Sequence, residues 1–157
     1  MKKSFLFLMA MILLVSVAGC SATSAAGLHD TDNAVITLER TACFGFCPVY
    51  KITIHGDGTV IYEGKDFVAT EGKVETTINQ EKIKQLISEF EEIDYFSLQD
   101  EYTERTITDA PSTITSITID GKTKTVEHYH GDFNAPEELT NLEKRIDEIV
   151  NSEQWIQ

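Results

Sequence analysis

Between residues 49 and 63 apolar and polar side chains alternate on both sides of Gly56, Asp57 and Gly58, and no other feature of this 157-residue chain constrains its fold as tightly. A period of two marks a strand with one buried face, and two such runs joined by a glycine-rich turn make an antiparallel hairpin. Turn length then sets the register. A two-residue turn at Asp57 and Gly58 would oppose Ile52 to Glu63. A three-residue loop with Gly58 left-handed opposes Ile54 to Val60 and Ile52 to Tyr62, and brings Tyr50 to the same side. A slip of one residue would turn every side chain to the wrong face, so the three-residue loop is the one predicted.

Strand signals recur on either side. Residues 34–40 read as a first strand, CFGFCP follows at 43–48, and 74–78 reads as a further strand. Residues 112–119 and 122–130, rich in Thr, Ile and Val, form a second hairpin about Asp120 and Gly121. Two segments carry helical spacing instead. Asn79 can cap a helix over 80–92 with Ile83, Leu86, Ile87 and Phe90 on one stripe, and Pro136 starts a last helix striped by Leu139, Leu142, Ile146, Ile149 and Val150. Tyr95, Phe96 and Leu98 continue the packing of the first helix, and 99–109 reads as a loop or irregular edge. Hairpins with two helices and no repeating strand-helix-strand unit predict an α+β class, an antiparallel sheet with both helices on one face.

The chain begins differently. Lys2 and Lys3 precede an apolar run from Phe5 to Ala18, too short to span a bilayer, which ends in Val17, Ala18, Gly19 and Cys20. This pattern resembles a bacterial lipoprotein signal and implies cleavage after residue 19 with lipid on Cys20. The expected organisation is a signal peptide at 1–19, a lipidated flexible tether at 20–33 and one domain at 34–157. The expected address is outside the cytoplasm, anchored by lipid to the cell membrane; Ser21, in place of aspartate, points to the outer membrane if the host has one. Without 1–19 the chain keeps eleven basic against 26 acidic residues, a balance that argues against a nucleic-acid partner.

With Cys20 carrying lipid, Cys43 and Cys47 remain as an even pair in an oxidising compartment and are predicted to form a disulfide, the turn being allowed by Gly45. Two further uses of the pair stand beside that. His128 and His130 alternate onto one face of their strand, and two thiolates with two imidazoles suit copper or zinc. The spacing also resembles the CxxxCP site of Sco-type copper-delivery proteins, although Pro48 here leads into a strand and not a helix. Thiol-disulfide exchange is the third use and lacks the helix start and cation that lower a thiol pKa. The plain expectation for His128 is a sheet residue packed beside Val126 and Ile117. His130 simply ends the strand, and His29 and His55 are incidental. Ser112 has no matching histidine motif for a nucleophile. Glu91 with Glu92, and Asp147 with Glu148, are neighbours that point apart and read as solvated helix faces. Trp155 and the rings at 95 and 96 are expected in packing before any partner patch.

From about residue 36 to 156 the chain resembles a family of bacterial envelope domains of unknown function, DUF6438. The resemblance rests on TACFGFCPVYKITIHGDGTVIYEG, on the acidic helix leading to DYFSL, on DAPSTITSITIDGKTKTV, and on LEKRIDEIV followed by Trp155. It implies a small exported domain, often borne by lipoproteins, with no assigned activity. The functional expectation is therefore a non-enzymatic binding module without a cofactor, tied to the membrane through Cys20 and meeting an envelope protein partner. Copper or zinc handling through Cys43, Cys47, His128 and His130 is the alternative.

Overall fold

A computed structural model describes residues 31–157; the predicted signal peptide, Cys20, His29 and the tether up to residue 30 lie outside the described residues. The elements run β1 (Val35–Arg40), β2 (Val49–His55), β3 (Thr59–Asp66), β4 (Gly72–Thr77), α1 (Gln80–Glu92), β5 (Glu101–Tyr102), β6 (Ser112–Ile119), β7 (Lys122–Tyr129), α2 (Glu137–Val150) and α3 (Glu153–Ile156). The strands form one seven-stranded sheet in the order β4-β3-β2-β1-β6-β7-β5. Every neighbouring pair is antiparallel except β5 and β7. The class is α+β, as the hairpin pattern predicted.

The registers follow from the turns. Ile54 pairs with Val60 and Ile52 with Tyr62, the alignment that the three-residue loop demands, and Gly58 carries the required left-handed φ of 93°. At the second hairpin Asp120 and Gly121 both turn left-handed, φ 51° and 72°, which suits a two-residue connection between twisted strands. One face of the sheet takes Ile36, Leu38, Ile52, Ile54, Val60, Tyr62, Ile117 and Val126, all buried. The other face carries side chains such as Thr37, Glu39, Lys51, Thr53 and Ser116 and is left to solvent. Both edges resist further pairing: β5 is two residues long and β4 reads GKVETT.

Both helices cover the apolar face. Asn79 caps α1 by accepting the Lys82 N–H at 3.0 Å, and Ile83, Leu86, Ile87 and Phe90 are its buried side chains. Asn151 closes α2 in the left-handed conformation, φ 56°. α2 crosses the strands, since Glu143 meets β7, Asp147 meets β1 and β2, and Trp155 beyond it meets Tyr62 of β3. Lys82 of α1 donates to the Ile149 carbonyl near the end of α2, so the two helices run antiparallel.

Several local expectations need correction. Within 99–109, read as a loop or irregular edge, Glu101 and Tyr102 form a short parallel edge strand on β7; two residues give periodicity nothing to register. Phe96 is 43% exposed while Tyr95 is fully buried, since a 3-10 turn at Tyr95–Ser97 points successive side chains apart. Pro136 precedes the first helical residue, with φ −59° and ψ 141°. Thr31–Asn33, placed in the tether by the sequence, form a 3-10 turn packed on the β2–β3 loop. A Cβ on Gly56 would lie 1.7 Å from the Thr31 carbonyl oxygen, so only glycine allows this close approach.

The sheet therefore has two unlike ends. The turns at 56–58 and 120–121 and the entry at Thr31 mark the turn end. The loop end carries 41–48, 67–71, 103–111 and 130–136.

Candidate functional site

Along the helix-covered face, side chains change from apolar to polar as the strands approach the loop end. β1 reads Ile36, Leu38, Arg40; β2, read in the same direction, Ile54, Ile52, Tyr50; β6, in that direction, Ile117, Thr115, Thr113; and β7 Val126, His128 with His130 just beyond. Register turns this gradient into a row, because Arg40 pairs with both Tyr50 and Thr113, and Thr113 pairs with His128. Helical spacing of four places Glu143 and Asp147 of α2 on one face, and that face lies over the row.

Glu143 is only 1% exposed. Its Oε1 lies 2.9 Å from His128 Nδ1, whereas its Oε2 has no hydrogen-bond partner among the described residues. His130 Nε2 at 3.8 Å and Arg40 Nη1 at 3.9 Å face Oε2 from beyond hydrogen-bond reach. Arg40 spends its donors elsewhere, on Asp147 Oδ2 at 2.8 Å and Thr113 Oγ1 at 2.7 Å. Thr113 Oγ1 accepts from Arg40 and also shares a hydrogen bond of 2.6 Å with His130 Nε2. Asp147 Oδ1 accepts from Tyr50 at 2.9 Å and from Ser152 at 2.7 Å. The imidazoles of His128 and His130 stack with centroids 4.8 Å apart and planes 12° from parallel.

Burial sets the electrostatics of this cluster. It pushes the Tyr50 hydroxyl far up, with Asp147 adding to the effect. It lowers His130, and the pull of Glu143 opposes that only in part while His128 and Arg40 reinforce it. Burial also acts to lower Arg40, but Asp147, Tyr50 and Glu143 outweigh it and the guanidinium ends above its ordinary value.

The loop between β1 and β2 stands at the same end. A disulfide joins Cys43 to Cys47, with the alpha carbons 5.7 Å apart. The loop is held at its base by the Thr41 N–H on the Ser112 carbonyl at 3.0 Å and by the Phe44 N–H on the Asp109 carbonyl at 3.2 Å. It displays Phe44 at 90% and Phe46 at 87% exposure. Phe46 meets Phe67, from the β3–β4 loop, edge to face at 5.3 Å.

The stretch from residue 34 to residue 150 matches the family described as Domain of unknown function (DUF6438). The chain belongs to the DUF6438 family. No curated protein matches it.

In this DUF6438 domain the structure gathers some of the predicted site residues and separates others. His128 and His130 come together, and their third neighbour is Glu143; Cys43 and Cys47 are bonded to each other and do not join that group. His128 is buried on the face of Val126 and Ile117, and it has a carboxyl partner that the sequence reading did not find. His130 does more than end the strand, since it holds Thr113. Asp147 is corrected: it is no solvated face but the acceptor for Arg40, Tyr50 and Ser152, because the α2 stripe is wider than its apolar residues alone indicate. Trp155 is 8% exposed and lies 4.8 Å from the Tyr62 ring, inside the core. A signal for Glu143 was present. It sits four residues after Leu139 and three before Ile146, a core position occupied by an acid.

Proposed function

We propose that this DUF6438 domain is a lipid-anchored interaction module of the cell envelope that docks a protein partner through the loop end. The observation that carries this is the placement of exposed apolar side chains. Six large apolar residues are exposed among those described: Phe44, Phe46, Phe67, Phe96, Ile107 and Phe133. All except Phe96 lie in loops at one end of the sheet. Scattered apolar side chains are ordinary on a surface, but aromatic residues collected on neighbouring loops mark interaction sites. Closure by a disulfide lowers the ordering cost of presenting Phe44 and Phe46, which favours affinity.

The position of the anchor favours a protein over the bilayer as occupant. The described chain enters at Thr31, on the turn end, and β1 alone puts roughly 20 Å between that point and the loop end. Lipid on Cys20 holds the entry side, so the aromatic loops are presented away from it. The acidic balance of the chain adds repulsion from anionic headgroups.

The test places a photo-crosslinking residue at position 46 or at position 123 of the full chain in its native envelope. The proposal expects one adduct of defined mass from position 46, lost in Phe44→Ser, and none from position 123. A dimer of the chain itself, a lipid adduct, or equal adducts from both positions would overturn it.

A further inference from the structure

We infer that His128, His130 and Glu143 form a binding site for a divalent cation of the zinc class, independent of the aromatic docking end. One donor atom from each of the three lies within 4.8 Å of the others. Two imidazoles and a carboxylate form a nitrogen and oxygen donor set suited to Zn²⁺ and its neighbours, with coordination positions left over.

The second observation is the orphaned oxygen. A carboxyl oxygen at a core position of α2 has no donor among the described residues, although Arg40 is close enough to have supplied one. Arg40 instead turns to Asp147 and Thr113. Two carboxyl groups thus face one guanidinium, and of the two it serves only Asp147. Buried polar atoms are partnered in nearly all native proteins, and a cation bonded to Oε2 would supply the missing partner.

Ligation requires one side chain to move. Tetrahedral zinc with bonds near 2.0–2.1 Å needs donors about 3.3 Å apart. Here Glu143 Oε1 stands 2.9 Å from His128 Nδ1 and Glu143 Oε2 3.8 Å from His130 Nε2, so each carboxyl oxygen faces one ring. The stacked rings cannot both aim at one ion, so His130 must swing out of the stack and release Thr113, which keeps its bond to Arg40. His130 is the group free to do so: its side chain is 31% exposed against 6% for His128. That exposure is also the route of entry. The cystine contributes nothing to this site.

The experiment titrates Zn²⁺ into the full-length protein in detergent by calorimetry, with Co²⁺ absorption as a second readout of nitrogen and oxygen ligation. The wild type is expected to take one equivalent. His130→Ala and Glu143→Gln should each weaken binding at least about 100-fold, while His55→Ala, at the turn end, binds as the wild type does. His130 is partly exposed, so its variant should keep a wild-type melting curve, and that curve separates lost binding from lost fold. No saturable binding by the wild type, an unchanged affinity in folded His130→Ala, or loss of binding in His55→Ala would each overturn the site.

Discussion

The two halves of the helix-covered face differ in what holds them. Toward the turn end Ile36, Leu38, Ile52, Ile54 and Ile117 belong to the apolar core, and the buried Thr115 beside Leu38 is satisfied by the Tyr95 hydroxyl at 2.7 Å. Toward the loop end the same strands present Arg40, Tyr50, Thr113 and His128, and α2 answers with Glu143 and Asp147. One half is stabilised by burial, which is indifferent to direction. The other depends on charged hydrogen bonds, which fail when one partner is removed. The polar half also lies beneath the loops that carry the exposed rings. The apolar core and the proposed docking surface therefore lie toward opposite ends of the same strands.

Truncation in the apolar half should have the largest effect. Leu38 is fully buried, and Leu38→Ala should cost about 3 kcal/mol in chemical denaturation, from lost transfer energy plus a cavity. A cost below about 1 kcal/mol would mean that the core is not where the comparison puts it. Glu143→Gln keeps the shape and breaks only the charge, and should cost roughly 1–3 kcal/mol. If it proved neutral, the polar half would be no network at all. Replacing Cys43 and Cys47 together by serine should cost about 2 kcal/mol through the reopened five-residue loop, with the same variant losing partner crosslinking more sharply than stability.

Much of the apolar half was legible from the sequence, and the polar half was not, for a physical reason. Alternation of Ile52, Ile54, Val60 and Tyr62 states which face is buried, and the glycine at 58 states the register. Helical stripes likewise announced α1 and α2. Polar residues carry no such period. Arg40, Thr113 and Glu143 are separated by 73 and 30 positions in sequence, and only the pairing of β1 with β6 and the crossing of α2 bring them together. Of the candidate site, His128 and His130 could be placed on one face from alternation alone. Their acid could have been suspected only from its place in the apolar stripe. The short β5 was missed because two residues establish no pattern. The exposure of Phe44 and Phe46 depends on where the cystine loop projects, which composition does not tell.

The smaller effects sharpen the comparison from the other side. Phe44→Ser with Phe46→Ser should leave stability within about 0.5 kcal/mol of the wild type, since both rings face solvent; a larger loss would make them packing residues. At the turn end, the Thr59 N–H donates to Asp57 Oδ1 at 2.8 Å and holds that carboxyl below its ordinary range. A depressed folded value contributes stability above the ordinary carboxylate pKa, and that contribution disappears as pH falls through the folded value. Asp57→Asn should therefore lower the neutral plateau slightly and remove the matching acid-side slope, so that the two stability profiles converge at low pH. A slope that survives the substitution belongs to other carboxyl groups.

The most direct measurement takes the partner found by crosslinking, purifies it, and compares its affinity for the wild type with that for the Phe44→Ser, Phe46→Ser variant. Loss of two anchoring rings at about 2 kcal/mol or more each predicts a weakening beyond 100-fold at unchanged stability. Equal affinity of the two proteins would contradict the assignment of the loop end as the docking surface.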